Sequence, residues 1–287
     1  MPEAGRIGVA KTYKLFIGGA FPRSESGRSY AVTTADGTLL AHAARASRKD
    51  ARDAVVAARA AFGKWSAATA YNRGQVLYRV AEMLEGRAAQ FADEVSAAEG
   101  ISAAAARRAV GAAIDRWVWY AGWPDKVAQV AGSANPVAGP YFNFSVPEPT
   151  GVVAVLAPAG SSLLGLVSVL APVIATGNAA VLVASTDRPL PAVTLAEVLA
   201  TSDVPGGVVN VLTGPVAELA TVLAAHRNVD AIDLTGAAAG DRAELERLAA
   251  GNIKRVYAAD EDWAAPPTPH RMLAFLETKT VWHPVGI

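Results

Sequence analysis

The stretch VLAPAGSSLLGLVSVLAPVIATGN, residues 155–178, decides how this chain is read. Its first residues finish an apolar run that begins at Val152, valine-rich and too short for a helix, so a buried strand is expected over 152–157. A Pro-Ala-Gly turn follows. The apolar segment 163–176 then ends at Gly177 and Asn178, and it is shorter than the roughly 18 residues a membrane-spanning helix needs. A buried helix over 162–176 is the reading, with Gly177-Asn178 as its ordinary C-terminal cap. Strand, glycine-bearing loop and helix together have the outline of a nucleotide site. Yet the loop Pro158-Ala159-Gly160 offers no side chain able to do chemistry.

Downstream the same alternation repeats. Strands are predicted over 179–184, 208–213, 231–235 and 253–258, and helices over 191–200, 216–226 and 241–250. Continuous apolar strands joined by helices imply an α/β, Rossmann-like doubly wound parallel sheet, covered on both faces, with its ligand crevice beyond the strand C-termini. Upstream, a turn-rich ribbon (16–34) precedes N-terminal helices. Ser47 and Asp50 form a capping-box pattern, followed by Ala51, Val55, Ala58 and Phe62 at one-face spacing. A second helix is read over 73–95 with Val76, Val80, Leu84 and Phe91 inward, and Trp117, Trp119, Tyr120 and Trp123 read as packing. After Ala259 the alternation stops. DEDWAAPPTPH has a linker composition, and the tail alternates through Thr278, Thr280 and Trp282 as a strand does. YFNFSV (141–146) alternates too, with Phe142, Phe144 and Val146 on one face. Together with the tail it suggests an antiparallel β-ribbon outside the main sheet, a kind of edge that pairs with other chains.

The bulk numbers exclude several functions. In 287 residues Lys+Arg and Asp+Glu are both 26, which leaves no cationic surface to draw a nucleic acid. Cysteine is absent, which removes disulfides, thiolate metal sites and any thiol nucleophile of this chain. His42, His226, His270 and His283 are scattered without zinc spacing, and His226 ends a helix, where a cation is favoured. Residues 1–14 are polar and lack the apolar core of a secretory signal, so a cytoplasmic protein without a membrane anchor is expected. A nucleophilic elbow at Ser162 would need its second glycine one residue before Gly165; Ser161 and Ser162 read instead as helix caps.

KLFIGGAFPRSESGRSYAVTTADG, ASRKDARDAVVAARAAFGKWS, EPTGVVAVLAP, GNAAVLVAS, VPGGVVNVLTG, NVDAIDLTG and GNIKRV, in that order from Lys14 to about Ala258, resemble the cofactor-binding half of the NAD(P)-dependent aldehyde dehydrogenases. FLETKTVW resembles that family's C-terminal oligomerisation strand. The resemblance implies a cofactor-type domain over 1–258 that includes the ribbon 138–150, a linker 259–270 where the family has its catalytic domain, and an oligomerisation strand in 271–287.

The same resemblance implies chemistry that this chain lacks. Family members use a cysteine nucleophile, a glutamate base and an asparagine amide that steadies the oxyanion. Gly160 stands at the asparagine position and Ala259 at the glutamate position, while Glu261 and Asp262 read as solvated acids. The ribose-holding Lys-Pro-Ser-Glu corresponds to Val183, Ala184, Ser185 and Thr186. The pyrophosphate turn corresponds to Leu234, Thr235, Gly236 and Ala237, with Asp241 adding negative charge at the next helix. Pro158, Ser185, Thr186, Gly214, Thr235 and Gly236 are therefore read as vestiges of a cofactor site. No catalytic or metal-binding residue is assigned, no cofactor is expected, and NAD(P) binding would be weak at most. The expected role is a non-catalytic subunit that assembles with a full-length aldehyde dehydrogenase, through the ribbon around Phe142 and Phe144 and the tail strand Glu277 to Trp282. The alternative is an NAD(P)-binding module contributing to aldehyde oxidoreductase activity.

Overall fold

The computed structural model describes residues 9–34 and 36–286; the polar start read from Met1 lies outside them up to residue 8. In chain order the elements are β1 (Thr12–Tyr13), β2 (Ser29–Thr33), β3 (Leu39–Ala44), α1 (Arg48–Ala67), α2 (Ala70–Glu85), α3 (Ala88–Glu99), α4 (Ala103–Ala121), α5 (Val127–Ala131), β4 (Ser133–Asn135) and β5 (Tyr141–Pro149). Then follow β6 (Val152–Leu156), α6 (Leu164–Ala175), β7 (Ala179–Val183), α7 (Leu190–Ala200), β8 (Val209–Leu212), α8 (Val216–Ala225), β9 (Ala231–Asp233), α9 (Arg242–Ala249), β10 (Arg255–Tyr257), α10 (His270–Ala274) and β11 (Leu276–Pro284). No helix among the described residues is long and apolar enough to cross a membrane.

The main sheet has the order β10-β9-β6-β7-β8 with every pair parallel, as the alternation predicts. Side chains on a strand alternate between faces. Val153 and Val155 accordingly join the core beneath α2, α3, α4, α6 and α7, while Val152, Ala154 and Leu156 join the one formed with α1, α8 and α9. Burial of both faces is why these strands are apolar throughout. The capping box is present: the Ser47 hydroxyl accepts from Asp50 N, and Asp50 Oδ2 accepts from Ser47 N at 2.7 Å. The β8 edge is closed by Phe16, which exchanges two backbone hydrogen bonds with Val211.

Three readings need correction. The helix expected over 73–95 is two helices, α2 and α3, that break at Gly86-Arg87; glycine is a poor helix former, and the break still leaves Leu84 and Phe91 buried. The N-terminal ribbon is a three-stranded sheet of order β1-β3-β2, with its long antiparallel pair between β2 and β3. The ribbon near the tail also has three strands, β11-β5-β4, because Ser133, Ala134 and Asn135 pair with Ser145, Phe144 and Asn143. A polar ladder explains why such weak β-formers pair: Asn135 Nδ2 donates to Asn143 Oδ1 (2.6 Å) and Ser145 Oγ (2.9 Å), and Ser145 meets Thr280 at 2.9 Å.

The tail does pair with 141–149, over the full length of β11 from Leu276↔Pro149 to Pro284↔Tyr141. Its foundation is Asn178, fully buried and more than a helix cap. Asn178 Oδ1 accepts from Gly151 N (2.7 Å), and Nδ2 donates to Thr176 Oγ1 (2.8 Å) and to the Phe275 carbonyl (2.9 Å). One amide thus joins the start of β6, the end of α6 and the start of the tail. Asn178→Ala leaves the Gly151 amide without its buried partner and weakens the hold on Phe275. We expect a loss of about 1–3 kcal/mol in urea unfolding, with faster hydrogen exchange concentrated in 275–284.

Candidate functional site

In a doubly wound sheet the crevice lies beyond the strand C-termini where the strand order reverses. Here that point falls between β6 and β9, and a cleft of about 420 Å³ is found there, lined among others by Pro158, Gly160, Thr235, Gly236, Ala259 and Trp263. Gly236 belongs to the packing of this loop: its amide donates to the Leu156 carbonyl at 3.0 Å, and a Cβ on it would collide with the Ala157 carbonyl.

The sequence-predicted residues separate into two groups. Pro158, Thr235 and Gly236 share the cleft. Ser185, Thr186 and Gly214 do not line it. Thr186 Oγ1 donates to the Gly214 carbonyl (3.2 Å) and accepts from Val216 N (3.1 Å), so this cluster caps the start of α8. Ser185 Oγ is buried without a hydrogen-bond partner. Asp241 is exposed and stands outside the cleft wall.

Ser161 and Ser162 do different jobs. Ser161 Oγ accepts from Gly165 N (2.9 Å), as a cap does. Ser162 instead gives both its N–H (2.6 Å) and its O–H (2.7 Å) to Glu99 Oε1. At 2% exposure the Ser162 hydroxyl is out of reach of an ester, which removes the elbow reading.

The segment 259–270 is mostly exposed, as a linker is, but it is pinned to the domain at a few points. Trp263 lies over the first turn of α6: a Cβ on Gly165 would sit 3.2 Å from Trp263 Cε2 and 2.7 Å from Pro158 Cγ. Buried Arg116 donates from Nη1 to Ser168 Oγ (3.0 Å) and from Nη2 to the carbonyls of Trp263 (2.9 Å) and Ala265 (3.0 Å). Arg271, which was read as the start of a strand, lies in α10 and is buried. It pairs with Asp233 at the end of β9, donates to Thr235 Oγ1 (3.1 Å) and Glu261 Oε1 (2.9 Å), and stacks over Tyr257 at 4.6 Å. The acids are exposed, as solvated groups are, and each also has a partner: Glu261 has Arg271 and the Tyr257 hydroxyl, Asp260 has Arg242, and Asp262 accepts from Ala264 N. Asp260 and Glu261 stand in the lining of the cleft.

Burial works against both members of the core pair. At Asp233 it prevails and lifts the carboxyl above the usual range despite Arg271. At Arg271 it pulls downward, but Asp233 and Glu261 outweigh it and hold the guanidinium firmly charged. His226 also differs from expectation. Burial, reinforced by Lys254, Arg52 and Arg59, holds its pKa below 6.5, so this helix end disfavours the cation. Its Nδ1 accepts from Asn228 N at 3.2 Å. Among the described residues no group of His, Asp and Glu is placed to hold a metal ion.

A parallel sheet in this order, with its cleft at the switch point, defines a Rossmann-type dinucleotide domain as the class of fold. The sequence is more specific: the model of the aldehyde dehydrogenase family matches residues 21–259. The chain belongs to that oxidoreductase family. It is 32% identical over 262 residues to cytosolic 10-formyltetrahydrofolate dehydrogenase of Xenopus tropicalis, covering 88% of this chain and 29% of the relative. It is 30% identical to an aldehyde dehydrogenase of Davidiella tassiana, covering 84% of this chain and 49% of that one. Among solved structures, a putative aldehyde dehydrogenase from Burkholderia cenocepacia superposes with a TM-score of 0.82 at 31% identity, over 86% of this chain and 50% of that chain. The NAD+ complex of the Bacillus cereus enzyme gives 0.81 at 26% identity, with the same coverage. The chain thus spans half or less of the length of these relatives.

Two outcomes follow from the charges. Removing one partner of a buried pair strands the other, so Arg271→Met should cost about 3–5 kcal/mol in chemical denaturation, with Asp233→Leu/Arg271→Met recovering much of it. For His226, the folded pKa lies below the unfolded value, so the unfolded chain takes up the proton first as pH falls. Its contribution is complete above 6.5 and is lost as pH drops toward the folded value. Between about pH 7.5 and 5.5 the melting temperature of the wild type should therefore fall further than that of His226→Gln.

Proposed function

We propose that this chain is a non-catalytic aldehyde-dehydrogenase-like subunit that assembles with a full-length aldehyde dehydrogenase and stabilises or regulates it. The carrying observation is an unpaired ribbon edge bearing exposed aromatics, on a chain without cysteine. Phe142 is 52% and Trp282 59% exposed, although large aromatics ordinarily seek cover. Among the described residues β11 pairs on one side only, with β5. Its other edge offers unpaired backbone donors and acceptors for strand addition. Phe142 and Phe144 stack at 5.3 Å on one face with Val281 opposite Phe144, and Tyr141 meets Trp282 edge-on at 5.7 Å on the other. Meanwhile the family's chemistry would need a thiol, and residues 1–287 contain no cysteine. A cytoplasmic setting belongs to the same proposal; several of the matched relatives are cytosolic forms.

Co-expression with an intact aldehyde dehydrogenase of the same cell tests this. The two should co-purify, and Trp282→Ala or Phe142→Ala should weaken the complex by about 2 kcal/mol or more if these aromatics anchor it. Isolation of this chain as a lone monomer beside its unbound relative would refute the reading.

A further inference from the structure

The crevice does not fit a dinucleotide, and the misfit is built from this chain's own residues. Rossmann-type domains receive a pyrophosphate on the amides at a helix N-terminus, where free N–H groups and the helix dipole favour an anion. At the start of α6 part of this donor set is already engaged. Gly165 N donates to Ser161 Oγ, and Ser162 N donates to Glu99 Oε1, so a carboxylate carried in from the end of α3 stands just ahead of the helix. At the start of α8, Val216 N donates to Thr186 Oγ1. The Trp263 indole lies against the first turn of α6, on the glycine surface where close backbone approach would be needed. Nearby cations are committed elsewhere: Arg116 to three protein oxygens, Arg271 to Asp233 and Glu261, Arg242 to Asp260, and Arg188 to the Gly160 carbonyl.

We infer that the crevice is self-occluded. Residues 259–271 are a plug, with Trp263 as its stopper, Arg116 and Arg271 as its two clamps, and Glu99 as the internal anion that replaces a phosphate. The plug excludes a nucleotide. This stands apart from the assembly reading, because co-purification reports on the ribbon and nucleotide titration reports on the cleft.

The test titrates NAD+ and ADP-ribose into the purified full chain by calorimetry. Wild type should give no saturable heat up to millimolar ligand. Trp263→Ala/Glu99→Ala should bind ADP-ribose at least about tenfold more tightly than wild type. Saturable wild-type binding with a Kd below about 1 mM, or a folded double variant no better than wild type, overturns the inference. Hydrogen exchange on the wild type decides the matter if the variant fails to fold. The plug predicts protection at Ala265, whose amide donates to the Asp262 carbonyl, and no change on adding NAD+. Exchange of 259–269 at free-chain rates would equally overturn it.

Discussion

Two opposite charges, on Asp233 and Arg271, meet where almost no water reaches either, and the path of the chain beyond the sheet depends on that meeting. A carboxylate at the end of an apolar strand is tolerated only when something positive comes to it. The guanidinium that comes is delivered by α10, which places Met272 and Phe275 in the main core and so sets the starting point of β11. From there the Asn178 amide takes the Phe275 carbonyl, and the tail can only run back along β5. The side of Arg271 facing the crevice holds Glu261 and stacks on aromatic rings. One ion pair therefore fixes both the closure of the cleft and the completion of the ribbon.

Such a pair is a poor source of net stability, since desolvation offsets most of its attraction. Its value lies in specificity. An apolar residue at 271 could bury itself in many places, whereas an arginine that must reach Asp233, Thr235 and Glu261 together has one. The same reasoning applies to Arg116, a cation in the core whose acceptors are a serine hydroxyl and two carbonyls of the incoming segment. Both clamps hold the segment that carries Trp263 into the cleft wall.

The parallel sheet was legible because its central strands β6 and β7 are buried on both faces and therefore apolar throughout, and because glycines and prolines mark most of the junctions between strands and helices. The capping box at Ser47 was equally plain, being purely local. What escaped was non-local. Ser133-Ala134-Asn135 has no strand character of its own and pairs only because Asn143 and Ser145 wait across from it. DEDWAAPPTPH reads as solvated on composition and is largely exposed, but the points that pin it come from partners far away in sequence. Two signals could have pointed there: Asp233 inside the apolar AIDL strand, which required a distant cation, and Trp263, too large a ring to leave in water. Pro158, Thr235 and Gly236, which the sequence groups as cofactor vestiges, do share one cleft. The grouping of Ser185, Thr186 and Gly214 with them was a matter of spatial arrangement that no local pattern encodes.

Because β11 lies against a strand more than a hundred residues earlier, the two must wait for each other during synthesis. Strand β5 leaves the ribosome well before its neighbour has been translated, and pairings between such remote segments form late. The sheet and its covering helices can consolidate first, while the aromatic ribbon stays incomplete until the last turn of α10 and the tail have emerged. The paired aromatic surface of β5 and β11 is thus among the last features of this domain to take shape.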